Sequence, residues 1–160
     1  MDRADIAIEQ WSRERPELPA LPMAVFGRLS EAAERVMRDH MNPLFAEAGL
    51  RPGEFDVLAT LRRSGPPYML TPTRLYEATM ISSGGMTNRL DRLEAAGLVE
   101  RRPDSNDRRG KLIGLTASGR RLIDDTIAKH VGNEVQLLSA LSTPEQLKLN
   151  ALLRKLIGAL

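Results

Sequence analysis

Thr87, Asn88, Arg89 and Arg92 fall within six residues of one another, with Met86, Leu90 and Leu93 interleaved at helical spacing. That spacing turns an apolar stripe inward and leaves a short polar row facing elsewhere. The row has the chemistry of base and phosphate recognition. The Asn88 carboxamide matches the paired donor and acceptor of adenine, and Arg92 matches a guanine or a phosphate. Ser83 and Thr87 suit phosphate contacts near a helix N-terminus, where Ser82 or Ser83 would serve as the cap. Gly84 and Gly85 each cost a helix interior about 1 kcal/mol against alanine, which fits a place where backbone approaches DNA or a neighbouring helix closely. Gly97 ends the helix. Next come extended runs at 98–102 and 111–115 around a dense cluster of turn formers at 103–107. They carry Arg101, Arg102, Arg108, Arg109 and Lys111. Arginine on a thin loop fits the narrow, strongly negative minor groove. A basic turn alone is usually only a solvated surface. Placed directly after a capped polar helix, it reads as a wing, and the pair reads as a DNA reader.

The elements that must hold this reader follow from the rest of the chain. Residues 2–14 read as a helix with Ala4, Ile8 and Trp11 on one face. Pro16, Pro19 and Pro22 break it and impose an extended connector. Val25, Phe26, Leu29, Ala33, Val36, Met37, Met41 and Phe45 continue a helical stripe that Pro43 should kink or restart. Phe55, Leu58 and Leu61 mark the buried face of the next helix, which Gly65-Pro66-Pro67 ends. Thr71-Pro72 is an N-cap followed by proline at the first helical position, opening a short helix to about Ala78. Thr116 caps a long helix with Ile123, Ile127, Val131, Val135 and Leu138 on one side. Ser142-Thr143-Pro144-Glu145 is a capping box before a final helix striped by Leu149, Leu152, Leu153, Leu156 and Leu160.

The fold class expected is mainly α with a small β-wing (α+β), a winged helix-turn-helix with N- and C-terminal dimerisation helices. One domain spans 1–160, with an extra helix at 1–15, dimerisation helices at 22–49 and 117–160, and a DNA-binding lobe at 52–116. The terminal stripes exceed what one small winged helix covers, so a symmetric dimer is expected to bury them. A reader of paired half-sites also needs two-fold symmetry. The plainer alternative is that these helices complete a monomer core.

The composition sets bounds on this reading. The 160 residues carry a net charge of +2, yet 84–121 hold nine Lys/Arg against five Asp/Glu, so the remainder is mildly acidic. A basic patch on an otherwise mildly acidic body is what phosphate binding asks for. There is no cysteine, which removes disulfides, thiol redox sensing and thiolate metal sites. No apolar run reaches the roughly 20 residues that span a bilayer, and the acidic, polar N-terminus is unlike a signal peptide, so no membrane partner and a cytoplasmic location are expected. His40 and His130 stand alone on predicted helices, so no metal site is expected. No nucleophile–base pair, phosphate loop or carboxylate pair stands out, and no enzyme or cofactor is expected.

Residues 87–94, Gly97-Leu98-Val99, Asp107-Arg108-Arg109-Gly110 and Leu115-Thr116-Ala117-Ser118-Gly119 resemble the MarR family of winged-helix regulators. The resemblance runs from about Met23 to the C-terminus. It implies a homodimer on a pseudo-palindromic double-stranded operator, usually a repressor released by a small ligand. It also implies that Asp91 pairs with Arg109, tying wing to recognition helix through a charge-assisted bond.

A narrower resemblance begins at the N-terminus. Trp11, Arg15-Pro16-Glu17-Leu18 and residues 22–29 are similar to the urate-responsive (PecS-like and HucR-like) subgroup. Its ligand signature corresponds here to Trp11, Asp56, Arg89 and Arg101. Urate is a planar monoanion at neutral pH, so an aromatic ring and an arginine suit it. An Asp56–Arg101 salt bridge in the free state would give the ligand something to displace. Each residue also has a plainer role: Trp11 docking the extra helix, Asp56 favouring its helix N-terminus, Arg89 on a DNA phosphate. Two rival readings are the same fold answering a phenolic carboxylate, and a helical interaction module without a DNA role.

Overall fold

The computed structural model describes residues 1–79, 85–104 and 107–160. Ser82 and Ser83, with the side chains of Arg108 and Arg109, lie outside the described residues. Helix α1 (Arg3–Glu14) starts with a reciprocal box: Asp2 accepts from the Asp5 amide at 2.8 Å, and Asp5 accepts from the Asp2 amide at 3.0 Å. Arg28 of helix α2 (Ala20–Arg35) then grips both carboxylates, at 2.8 Å and 2.5 Å. The connector is shorter than expected, because Pro22 sits inside the first turn of α2. A missing N–H costs nothing there, since the first amides of a helix have no intrahelical partner.

Pro43 acts on the long helix as expected, and the structure shows how. From Val36 to Met41 the helix widens into a π turn before α3 (Asn42–Glu47), and the Asn42 amide reaches back to the Met37 carbonyl. The wider turn absorbs the proline's missing donor and its clash with the carbonyl four residues back. Asn133 donates to the His40 carbonyl at 3.0 Å from the facing helix.

Helix α4 (Glu54–Arg63), strand β1 (Met69–Leu70), helix α5 (Pro72–Ala78), helix α6 (Met86–Ala95) and strands β2 (Val99–Asp104) and β3 (Asp107–Leu115) form the winged lobe. Thr71 caps α5, accepting from the Arg74 amide at 3.2 Å. The three strands are antiparallel in the order β1-β3-β2. Strand β1 was not anticipated, since two residues are too few to show an alternating pattern. The hairpin is longer than expected: pairing runs to Asp104↔Asp107, with a register shift at Pro103/Asp104. The cap of α6 is also corrected. Gly85, at φ 82°, holds that position rather than Ser82 or Ser83, because a left-handed cap needs a residue without Cβ.

Helix α7 (Ala117–Leu137) and helix α8 (Thr143–Ile157) follow the expected caps at Thr116 and Ser142. Thr116 and Gly119 explain the Leu-Thr-x-x-Gly spacing. The Thr116 hydroxyl accepts from the Gly119 amide at 3.0 Å and donates to the Gly97 carbonyl at 2.7 Å. A Cβ on Gly119 would lie 1.9 Å from the Leu98 carbonyl oxygen. The motif fastens the start of α7 to the base of the wing.

The core lies where α4, α5, α6, the sheet and α7 converge, with Leu58, Leu61, Leu75, Leu93, Ile113 and Ile123 fully enclosed. Phe45 stacks on Phe55 at 4.3 Å, and the His130 ring sits 4.7 Å from Phe55. By contrast, Leu21, Val25 and Phe26 on α2, Val135 on α7 and Leu152 and Ile157 on α8 stay exposed in the single chain. No described helix is long and apolar enough to cross a membrane.

Candidate nucleic-acid interface

Helix α6 presents Thr87, Asn88 and Asp91 to solvent, while Leu90 and Leu93 are buried and Arg89 and Arg92 are half-buried. The interleaved spacing produces this division directly. Leu90 and Leu93 seat the helix on the core, so the row one position away must face out. Lys111 and Arg102 are exposed on the wing.

Three charged contacts hold this surface in place. Arg101 on β2 reaches back to α6, with Nη2 2.5 Å from Asp91 Oδ1 and Nη1 bonded to Glu94. The bond to Asp91, then the charge of Glu94, raises the Arg101 guanidinium's affinity for its proton. Arg92 Nε donates to Glu54 Oε1 on α4 at 2.7 Å. Arg63, in the last turn of α4, donates to the Ala78 carbonyl at the end of α5 and to Thr60 Oγ1 at 3.1 Å. Thus α4 is tied to both helices of the helix-turn-helix, and the wing is tied to α6.

These contacts give described partners to several of the sequence-derived site residues. The partner described for Asp91 is Arg101, whereas the Arg109 side chain lies outside the described residues. The ion pairs described for Arg101 are to Asp91 and Glu94, not to Asp56. Trp11 lines a cleft of about 290 Å³ between α1 and α2 with Ile8, Met23, Gly27, Glu31 and Glu34. Asp56, Arg89 and Arg101 do not line it. The cleft described beside Trp11 is therefore lined by one of the four signature residues. Among the described residues, no group of three or more His, Asp or Glu is arranged to hold a metal ion.

Glu54, Arg63 and Glu94 carry no local sequence signal for these contacts. An acid in a first turn and a base in a last turn are what any helix favours, so the positions of Glu54 and Arg63 point to no partner. Only burial distinguishes Glu54, whose side chain is 3% exposed.

A helix-turn-helix whose second helix shows an exposed polar row, followed by a basic hairpin tied back to it, is the architecture of a winged-helix DNA-binding protein. Residues 48–110 match the model described as MarR family. The chain is 43% identical over 146 residues to the HTH-type transcriptional regulator PecS of Dickeya dadantii, covering 91% of this chain and 87% of that protein. It therefore belongs to the MarR family of DNA-binding transcriptional regulators, on its PecS-like side, and not to a family of enzymes. A MarR family transcriptional regulator from Streptomyces coelicolor, solved in complex with DNA, superposes with a TM-score of 0.77 at 27% identity, covering 88% of each chain. NadR, solved with 4-hydroxyphenylacetate, superposes at 0.63 with 28% identity, over 80% of this chain and 88% of that one.

Proposed function

We propose that the protein is a homodimeric repressor that binds a pseudo-palindromic operator and releases it on binding a small aromatic anion, urate first among candidates. Asn88 reads base edges in the major groove, with Ser82, Ser83 and Thr87 on flanking phosphates. Arg108, Arg109 and Lys111 carry the wing along the backbone or into the minor groove. Helices at 22–49 and 117–160 pair the two lobes at 52–116, and the helix at 1–15 adds Trp11 to the effector region. The exposed apolar faces of α2, α7 and α8 supply what a symmetric dimer buries.

One observation carries the release mechanism: Arg101, assigned to ligand by the PecS-like signature, is also the residue bonded to Asp91 and Glu94 of the recognition helix. An anion that captures Arg101 competes with both carboxylates and frees the wing from α6. Asp56 and Arg89 complete the anion's surroundings on α4 and α6. A second reading keeps the protein and changes the ligand to a phenolic carboxylate, which the likeness to NadR solved with 4-hydroxyphenylacetate favours.

The test is a mobility shift on the DNA upstream of the gene, titrated with urate and separately with 4-hydroxyphenylacetate. Specific, steeply salt-dependent binding that urate abolishes in the wild type, and not in Trp11→Ala or Arg89→Ala, is expected. Release by the phenolic acid alone moves the reading to the second ligand, and absence of any salt-dependent shift ends the operator reading.

A further inference from the structure

The first turn of α4 and the recognition helix are joined by a charge pair that neither the DNA contacts nor the effector residues require. Glu54 is almost wholly enclosed, and each of its oxygens is used: Oε1 accepts from Arg92 Nε at 2.7 Å, and Oε2 accepts from the Arg51 amide at 2.7 Å. A carboxylate withdrawn from water this far is unfavourable unless a cation and hydrogen bonds replace its hydration. The Arg51 amide supplies one bond, and Arg92 supplies the only ion pair described for Glu54. Arg92 answers with its Nε edge, so the planar fork is oriented by α4 rather than left to swing. It lies six residues after Met86, about 9 Å along the axis from the helix start. Its charge and direction are therefore set by a partner inside the lobe.

We propose that Glu54 is a positioning residue that acts through Arg92, fixing the angle of α6 on α4 and so the presentation of Thr87 and Asn88. Arg92 is then a docking residue and not a phosphate or guanine contact. This rests on the DNA-binding reading above for its consequence, although the docking itself is measurable without DNA.

Two measurements test it. The first is amide hydrogen exchange in free wild type, Glu54→Gln and Arg92→Gln. Exchange across 86–95 quickens about tenfold in both variants, while 117–137 exchanges as in wild type. The second is operator affinity across a salt series for the two variants and their combination. Each single change weakens binding about tenfold with an unaltered salt slope, and the double variant loses no more than the weaker single variant. Arg92→Lys, which keeps the charge without the planar Nε donor, follows Arg92→Gln, and it carries both measurements if Glu54→Gln does not fold. Unchanged exchange at 86–95, additive losses, or a salt slope shallower by about 0.9 in Arg92→Gln, the signature of one lost phosphate contact, each overturn the proposal. Wild-type protein that binds no operator overturns the functional reading alone, and the exchange measurement still decides this one.

Discussion

The winged lobe and the terminal helices solve the same problem in opposite ways. In the lobe, Leu58, Leu61, Leu93 and Ile113 are sealed within one chain, and charged pairs at Glu54–Arg92 and Arg101–Asp91 fix the angles between elements. At the ends, α8 buries no residue and α2 buries only Ala24, while Phe26 is 55% and Leu152 56% exposed. Helix α1 is held to α2 by surface ion pairs and a shallow apolar contact. The lobe is a finished core with adjustable ionic ties. The ends leave apolar faces open in the single chain, which is what the proposed dimer would cover. The difference teaches that stability and geometry reside in different interactions here: apolar burial supplies the first, and ionic ties between elements supply the second.

The comparison breaks most severely inside the lobe. Leu61→Ala removes a fully enclosed side chain and is expected to cost about 2–5 kcal/mol, read as a large fall in melting temperature. Gly119→Val, whose Cβ meets the Leu98 carbonyl, belongs in the same range by its clash with backbone. Leu152→Arg on α8 should leave the lobe's fold intact and instead shift sedimentation from dimer to monomer. A loss of half-site pairing then shows as operator binding weakened by two orders of magnitude or more. If Leu152→Arg lowers the melting temperature as much as Leu61→Ala at a concentration where wild type is monomeric, the division between finished core and open face fails.

Smaller effects sharpen the role of the ties. Arg101→Ala removes both bonds to α6 and is expected to cost about tenfold in operator affinity, with little loss of thermal stability, because the guanidinium is partly solvated. It should also abolish the response to urate. The smallest effect is at the N-terminus. Arg28 holds the Asp2 carboxyl below the ordinary aspartate range. A carboxyl lowered in the folded state lends stability that is present above its unfolded value and is lost as the pH falls through its folded value. Acidification below the ordinary aspartate range should therefore loosen α1 before the lobe melts. Trp11, the single tryptophan, reports this by fluorescence, and Asp2→Asn should show the loosened signal already at neutral pH.

Much of the architecture was legible because it rests on short-range rules. Thr71-Pro72, Thr116 and Ser142 to Glu145 announced helix starts through caps that bond within three residues. The interleaving of Leu90 and Leu93 with Thr87 and Asn88 announced which side of α6 faces out. What escaped depended on partners far away in the chain. Strand β1 exists because β3 offers an open edge to Met69 and Leu70. Glu54 meets Arg92 across 38 positions, and nothing in the sequence around either residue marks the meeting. The resemblance implies a wing brace from Arg109, while the described bonds to Asp91 and Glu94 come from Arg101, and residue type alone does not tell one arginine of the hairpin from another.

The order of helices, the polar row of the recognition helix, the basic hairpin and the family resemblance were all legible along the chain, since periodicity, turn residues and short motifs act locally and survive in a one-dimensional reading. Only the packing of elements settled which charges face each other: Arg92 with Glu54, and Arg101 with Asp91 and Glu94. Ion pairing depends on distances of a few ångströms between elements brought together by packing, and no spacing along the chain encodes those distances.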